Sequence, residues 1–194
     1  MHDHLKIIGL SGTNGAGKDL VGQLLANDHS YLFISVTELL RTEARRRGLP
    51  VERQFLRTIS AEWRRERGLG VLVHEALMAY QATGQQYAGV VMSSLRNPAE
   101  ADAIHKAGGT LIWIDADPQI RYARITAHDR GRSGEDDKTF EQFLAEEADE
   151  MNAPADGDNA SLNMAAVKER ADMTLVNNSS ELGLLKEDIA KLLN

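Results

Sequence analysis

Gly12-Thr13-Asn14-Gly15-Ala16-Gly17-Lys18-Asp19 follows the apolar run Ile7-Ile8-Gly9-Leu10 and precedes Leu20-Val21-Gly22-Gln23-Leu24-Leu25-Ala26, which has helical spacing. A glycine-rich turn between a strand and a helix start can aim successive backbone N–H groups at one point. The helix N-terminus adds partial positive charge there, and Lys18 adds an ammonium for β- and γ-phosphates. The pattern G-x-x-x-x-G-K-[ST] is met at every fixed position except the last. Gly12, Thr13, Asn14, Gly15, Ala16, Gly17, Lys18, Asp19 and Leu20 are therefore the expected cradle for the phosphates of ATP or GTP. Asp19 stands where a hydroxyl residue usually ligates Mg²⁺. Its carboxylate can bind that ion through water, or repel the phosphates if it faces them.

A second group of residues has the chemistry to hold an anion. Nine arginines fall between positions 41 and 67 of an otherwise acidic chain. A solvated helix face accounts for most of them and a pocket for an anionic acceptor for a few. Arg96 follows the apolar run Val90-Val91-Met92. Arg41 and Arg96 come after different strands and are expected to converge on one crevice and grip an acceptor phosphate by charge-assisted, forked hydrogen bonds. The strand before Arg96 ends in Ser93-Ser94, where many phosphate-binding enzymes carry an Asp that holds Mg²⁺ or its water. Asp115, at the end of the next apolar run, is either an acidic substitute or an ordinary strand-end residue.

The elements that must position these groups are read from periodicity. Strands are predicted over 6–11, 31–34, 87–93, 110–115 and 173–177, and helices over 37–47, 51–67, 71–83, 119–128 and 139–151. Ser35 and Glu38 have the spacing of a capping box, and Asn97-Pro98 and Asp117-Pro118 each pair an N-cap side chain with proline at the first helical position. Strands alternating with helices imply a parallel sheet covered on both faces, with the site at the carboxyl ends of the strands. Residues 129–138 and 152–163 read as loose. The first lies between two helical stretches, where a lid would hinge.

Composition sets the bounds. The 194 residues suit one α/β domain. The absence of cysteine excludes disulfides and thiolate zinc sites. A net charge of −7 argues against nucleic acid or an anionic membrane as partner. There is no apolar run of roughly eighteen residues, and the few residues before the first strand are too short for a signal peptide, so the cytoplasm is the expected compartment.

Taken together, the loop 12–19, the segment Ile34-Ser35-Val36-Thr37-Glu38-Leu39-Leu40-Arg41 and the run Val90-Val91-Met92-Ser93-Ser94-Leu95-Arg96 resemble the adenylate-kinase-like branch of P-loop nucleotide kinases over nearly the whole chain. Asp115-Ala116-Asp117-Pro118 with Arg121 and Arg124, and Ala171–Asn178, also look like pieces shared by CMP/AMP-kinase-related proteins, phage deoxynucleotide kinases and dephospho-CoA kinases. The Gly-Lys-Asp ending is similar to that of phage deoxynucleotide kinases and phosphomevalonate kinases. The resemblance implies a three-layer P-loop NTPase fold with a five-stranded parallel sheet, spanning 1–194 as one domain, with 35–83 a helical acceptor-binding insertion and 129–138 a short lid. It implies ATP-dependent phosphoryl transfer with Mg²⁺ to a small phosphate-bearing acceptor. A nucleoside or deoxynucleoside monophosphate is the first reading, and dephospho-CoA or an ATPase or switch without a small acceptor are alternatives; a degenerate binding protein is a further one. Lys18, Arg124, Arg130 and Arg132 are the expected catalytic cations, and Arg121 shares or supports that role. Ser35, Arg41, Ser93 and Arg96 are the expected acceptor contacts. Mg²⁺ is expected to be held mainly by ATP and water, with Asp19 acting through water and Asp115 as a further candidate.

Overall fold

In the computed structural model, residues 6–83, 86–127, 138–152 and 157–193 are described. Five strands, β1 (Lys6–Ser11), β2 (Tyr31–Ser35), β3 (Gly89–Ser93), β4 (Thr110–Asp115) and β5 (Met173–Val176), form one parallel sheet in the order β2-β3-β1-β4-β5. Parallel neighbours cannot be joined by tight turns, so every connection carries helix. Helix α1 (Lys18–His29) links β1 to β2. Helices α2 (Val36–Arg46), α3 (Arg53–Arg67) and α4 (Val71–Gln81) lie between β2 and β3, and α5 (Pro98–Lys106) between β3 and β4. Then α6 (Pro118–Thr126), α7 (Phe140–Met151) and α8 (Met164–Glu169) separate β4 from β5, and α9 (Leu182–Leu192) follows.

The inner strands read as continuous apolar runs because both faces of the sheet are covered. Ile8, Leu10, Val91, Ile112 and Ile114 pack on one face with Leu24 and Leu25 of α1 and Leu185 and Ile189 of α9. Ile7, Val90, Met92, Leu111 and Trp113 point the other way and pack with residues of α2, α3, α4, α5 and α8. The period-two alternation of a strand thus divides the core into two layers. Among the described residues no helix is long and apolar enough to cross a membrane.

Local signals fix most helix starts. Asn97 and Glu100 form a capping box at α5, Thr139 and Gln142 form another at α7, and Asp117 accepts from the backbone N–H groups of Gln119 and Ile120 at α6. The box expected at Ser35 does not form. Ser35 is the N-cap of α2 without a side-chain bond, and Glu38 pairs instead with Arg41. A charge-assisted partner one turn along the helix outcompetes a backbone N–H for that carboxylate. The strand predicted from position 87 begins at Gly89, because the carbonyl of Tyr87 is taken by the Tyr80 hydroxyl at 3.1 Å.

Part of the stretch read as loose, residues 158–163, is an anchor. Ala160 is fully buried and its carbonyl accepts from Arg64 at 3.0 Å, while the carbonyls of Asn159 and Ser161 accept from the Asn97 side chain at 2.7 and 2.8 Å. Its Ala, Asp, Asn and Gly composition signals a turn, but the partners lie about sixty residues upstream or more. The proposed lid falls outside the described residues apart from Lys138, whose carbonyl accepts from the Tyr122 hydroxyl at 2.6 Å.

Candidate active site

β1 leads straight into the glycine loop. Gly12 has φ 141°, and a Cβ there would lie 2.1 Å from the carbonyl oxygen of Ile114 in β4. Gly17 has φ 97° and caps α1; a Cβ there would lie 2.4 Å from the Asn177 amide nitrogen, which itself donates to the carbonyl of Ala16 at 2.9 Å. These glycines meet two demands at once: a left-handed or otherwise forbidden backbone, and close approach of the chain ends of β4 and β5. The loop is therefore shaped by the sheet rim as well as by any ligand.

Lys18 is buried. Its Nζ donates to the carbonyls of Gly12 and Thr13, at 2.7 Å each. Burial, helped by the Arg96 guanidinium, pulls the amine down to about 7, against the opposing pull of Asp19 and Glu150. Thr13 Oγ1 is buried without a hydrogen-bond partner among the described residues.

Register places Ser35 opposite Ser93 and Ser93 opposite Leu10, so both serines stand at the same rim as the loop. Ser93 Oγ donates to Asp19 Oδ1 at 2.6 Å. The next residue, Ser94, has φ 71°, a left-handed conformation that costs a non-glycine residue energy. That turn leads to Arg96, whose backbone is held twice: its N–H donates to Glu100 at 2.8 Å, and its carbonyl accepts from Asn163 N–H at 3.1 Å.

The Arg96 side chain donates to Glu150 of α7 at 2.8 Å. Two residues not singled out in the sequence join it there. Arg57 donates to Glu150 at 2.5 Å and Arg53 lies 3.2 Å from the same carboxylate. Burial alone would raise the Glu150 carboxyl, but Arg96, Arg53 and Arg57 together hold it down at about 2. A single carboxylate is thus seated among three guanidinium groups. Because Lys18 feels both Arg96 and Glu150, that place adjoins the glycine loop.

The other expected residues are distributed as follows. Arg41 pairs with Glu38 on its own helix rather than with Glu150. Arg121 is buried, donates through Nε to the carbonyl of Ala116 at 2.8 Å and through Nη1 to that of Asn14 at 3.4 Å, and pairs with Glu147 of α7. It thus braces the loop from beneath. Arg124 donates to the carbonyl of Ser179 at 3.3 Å and is partly desolvated, which lowers its pKa. Asp115 accepts from Ala116 N–H at 2.9 Å and lies 3.4 Å from Lys168 Nζ, and neither contact brings it to Asp19 or Ser93. Leu20 is largely exposed. Arg130 and Arg132 lie outside the described residues.

Mg²⁺ takes hard oxygen ligands. Among the described residues no three His, Cys, Asp or Glu side chains gather as a ready-made metal site. The carboxylate of Asp19 and the hydroxyl of Ser93 are oxygen donors beside Lys18, so the residues present fit an ion that brings most of its ligands as phosphate and water.

The charge state of Glu150 gives a pH prediction. A carboxyl held lower in the folded state than unfolded contributes stability above its ordinary value near 4.5, and that contribution is lost as pH falls through about 2. Melting temperatures of wild type and Glu150→Gln should therefore differ most above about pH 5 and converge on acidification. A gap that does not change with pH would mean that the three arginines do not hold the carboxylate in solution.

No protein-family model matches the chain. A UPF0200 protein of Pyrobaculum aerophilum is 29% identical over 191 residues, 97% of each chain, and one of Pyrococcus horikoshii is 27% identical over 176 residues, 89% of this chain and 88% of that one. Among solved structures, the shikimate kinase from Acinetobacter baumannii in complex with shikimate superposes with TM-score 0.60 at 18% identity, covering 98% of this chain and 94% of that one. TT1252 from Thermus thermophilus gives 0.56 at 21% identity, covering 98% and 97%. At these identities the likeness is one of fold: the five-stranded parallel sheet with helices on both faces is that of the P-loop kinases.

Proposed function

We propose that this protein transfers the γ-phosphoryl group of ATP to a small phosphate-bearing acceptor, with a nucleoside or deoxynucleoside monophosphate as the first candidate and dephospho-CoA as the alternative. The P-loop kinase fold supports phosphotransfer and nucleotide use. The observation that carries the acceptor is Glu150, gripped by Arg53, Arg57 and Arg96 next to Lys18. A simple ATPase or switch has no need of a second anion site beside its phosphate loop. The motif resemblance to the adenylate-kinase-like branch supports a nucleotide as acceptor, and the cytoplasm is the compartment proposed.

The physical roles follow from what phosphoryl transfer requires. The protein does little covalent work; it aligns donor and acceptor and neutralises charge on the moving group. The loop N–H groups and Lys18 hold the donor phosphates, and Arg96 with Arg53 and Arg57 holds the acceptor. Bound Mg²⁺ would supply further charge neutralisation at the donor phosphates, with Asp19 and Ser93 the chain's oxygen donors towards it. Arg41, Arg124, Arg130 and Arg132 are proposed as further phosphate contacts that engage with substrate.

A second reading has one observation behind it. Glu150 is itself a carboxylate, so the same arginines can hold a carboxylate-bearing alcohol of the shikimate type. Three guanidinium groups are better matched by a phosphomonoester dianion than by one monoanion.

The test uses two variants of opposite sign. Arg96→Ala should weaken acceptor binding by about 1.5–3 kcal/mol while leaving ATP binding nearly unchanged, since it removes one charge-assisted contact. Glu150→Gln, which removes the internal competitor, should tighten the acceptor. Titrate ATP, nucleoside monophosphates, dephospho-CoA and shikimate separately into each, and assay transfer. Equal losses for ATP and acceptor in Arg96→Ala, or no transfer to any nucleoside monophosphate or to dephospho-CoA by the wild type, would overturn the reading, and transfer to shikimate alone would establish the second one.

A further inference from the structure

In the usual P-loop arrangement a Ser or Thr hydroxyl follows the lysine and an Asp carboxylate ends a neighbouring strand, and together they hold Mg²⁺. Here the residue after Lys18 is the carboxylate, Asp19, and the residue ending β3 is the hydroxyl, Ser93. Taken one at a time, each looks like a defect. Their side chains nevertheless meet: Ser93 Oγ donates to Asp19 Oδ1 at 2.6 Å, from positions 74 residues apart.

We infer that Asp19 and Ser93 form one divalent-cation site in which the carboxylate and the hydroxyl have exchanged chain positions. The inference rests on the reading of the glycine loop as an ATP site. A hard cation at this spot needs one anionic and one neutral oxygen, and nothing in its coordination depends on which strand or helix supplies each. Either exchange alone would change the local charge, giving two hydroxyls and no carboxylate, or two carboxylates in contact. Both together restore one of each. Asp115, the other acidic candidate, is turned to Lys168 and the Ala116 N–H and takes no part. Ser93 is fully buried, so its hydroxyl is not a solvent contact that happens to lie near Asp19.

The exchange makes a sharp test possible. Binding of a non-hydrolysable ATP analogue is measured by calorimetry with and without Mg²⁺, and Mn²⁺ held by the protein–analogue complex is followed by electron paramagnetic resonance. Asp19→Ser should lose about tenfold or more of the Mg²⁺-dependent tightening seen in the wild type. Adding Ser93→Asp to that variant should restore the tightening to within about threefold of wild type, together with the Mn²⁺ signal. The pair Asp19→Asn and Asp19→Asn with Ser93→Asp, checked by melting temperature, repeats the test if the serine variant does not fold. Failure of Ser93→Asp to rescue either variant, or full Mg²⁺ dependence in both Asp19 variants, overturns the exchange. An analogue that fails to bind the wild type with or without Mg²⁺ overturns the ATP reading itself, an outcome distinct from binding that ignores the metal.

Discussion

Lys18→Ala is expected to lower phosphoryl transfer by on the order of 10²–10³-fold, the cost of removing a donor aimed at charge that develops in the transition state. It should leave the melting temperature at neutral pH unchanged or slightly raised. The reason lies in how the lysine is stored: buried, with its Nζ on the carbonyls of Gly12 and Thr13, and with its amine pulled down to about 7 by that burial and by Arg96. A cation held out of water beside other cations contributes little to folding. It is worth keeping only if an anion arrives to meet it. Transfer rate and melting curve should be recorded on the same preparation. Wild-type transfer in a folded Lys18→Ala protein would remove the loop from the mechanism, and a fall of many degrees in melting temperature would make Lys18 a core residue.

The second large effect belongs to a buried pair that the sequence does not advertise. Arg64 and Glu100 are both almost fully buried, and Arg64 donates to Glu100 Oε1 through Nε at 3.0 Å and Nη2 at 2.7 Å. The other oxygen of Glu100 accepts from the N–H groups of Arg96 and Asn97, at 2.8 and 3.1 Å. Arg64→Leu leaves that carboxylate buried without its partner, which costs about 3–5 kcal/mol. For a chain of this size that corresponds to a fall of roughly 6–20 °C in melting temperature. Because Glu100 holds the backbone of Arg96, acceptor use should fall with it. Arg64→Leu combined with Glu100→Leu should be less destabilised than the sum of the two single changes, since the second removes the unpaired charge left by the first. Melting and denaturant curves of the three variants decide the matter. An Arg64→Leu protein that melts within about 2 °C of wild type would show that the pair is solvated in solution.

Much of the architecture was legible because its causes are local. The β1 and β4 bounds match the predicted runs, since strands buried on both faces carry a continuous apolar stretch through their middle. Asn97-Pro98 and Asp117-Pro118 start helices where expected because an N-cap bond is made within three residues. The glycine loop was legible for the same reason. Where local rules failed, a distant or charged partner had won: Glu38 left its capping role for Arg41, and residues 158–163, turn-like in composition, are fixed by Arg64 and Asn97.

The sequence by itself determined the alternation of strand and helix, the two-sided burial of the sheet and the presence of a glycine-rich strand-to-helix loop ending in Lys18 and Asp19, since each depends on residues a few positions apart. It also left Arg53 and Arg57 visible only as members of an arginine-rich stretch, and Glu150 as one acid among many. The tertiary structure alone decided that Glu150 sits among Arg53, Arg57 and Arg96, and that Ser93 meets Asp19. These contacts span 54 to 97 residues of chain, from Arg96 with Glu150 to Arg53 with Glu150. No periodicity or spacing rule reaches so far. A parallel sheet brings the ends of β1 and β3, far apart in sequence, to one rim, and the packing of α3 and α7 brings Arg53, Arg57 and Glu150 to Arg96.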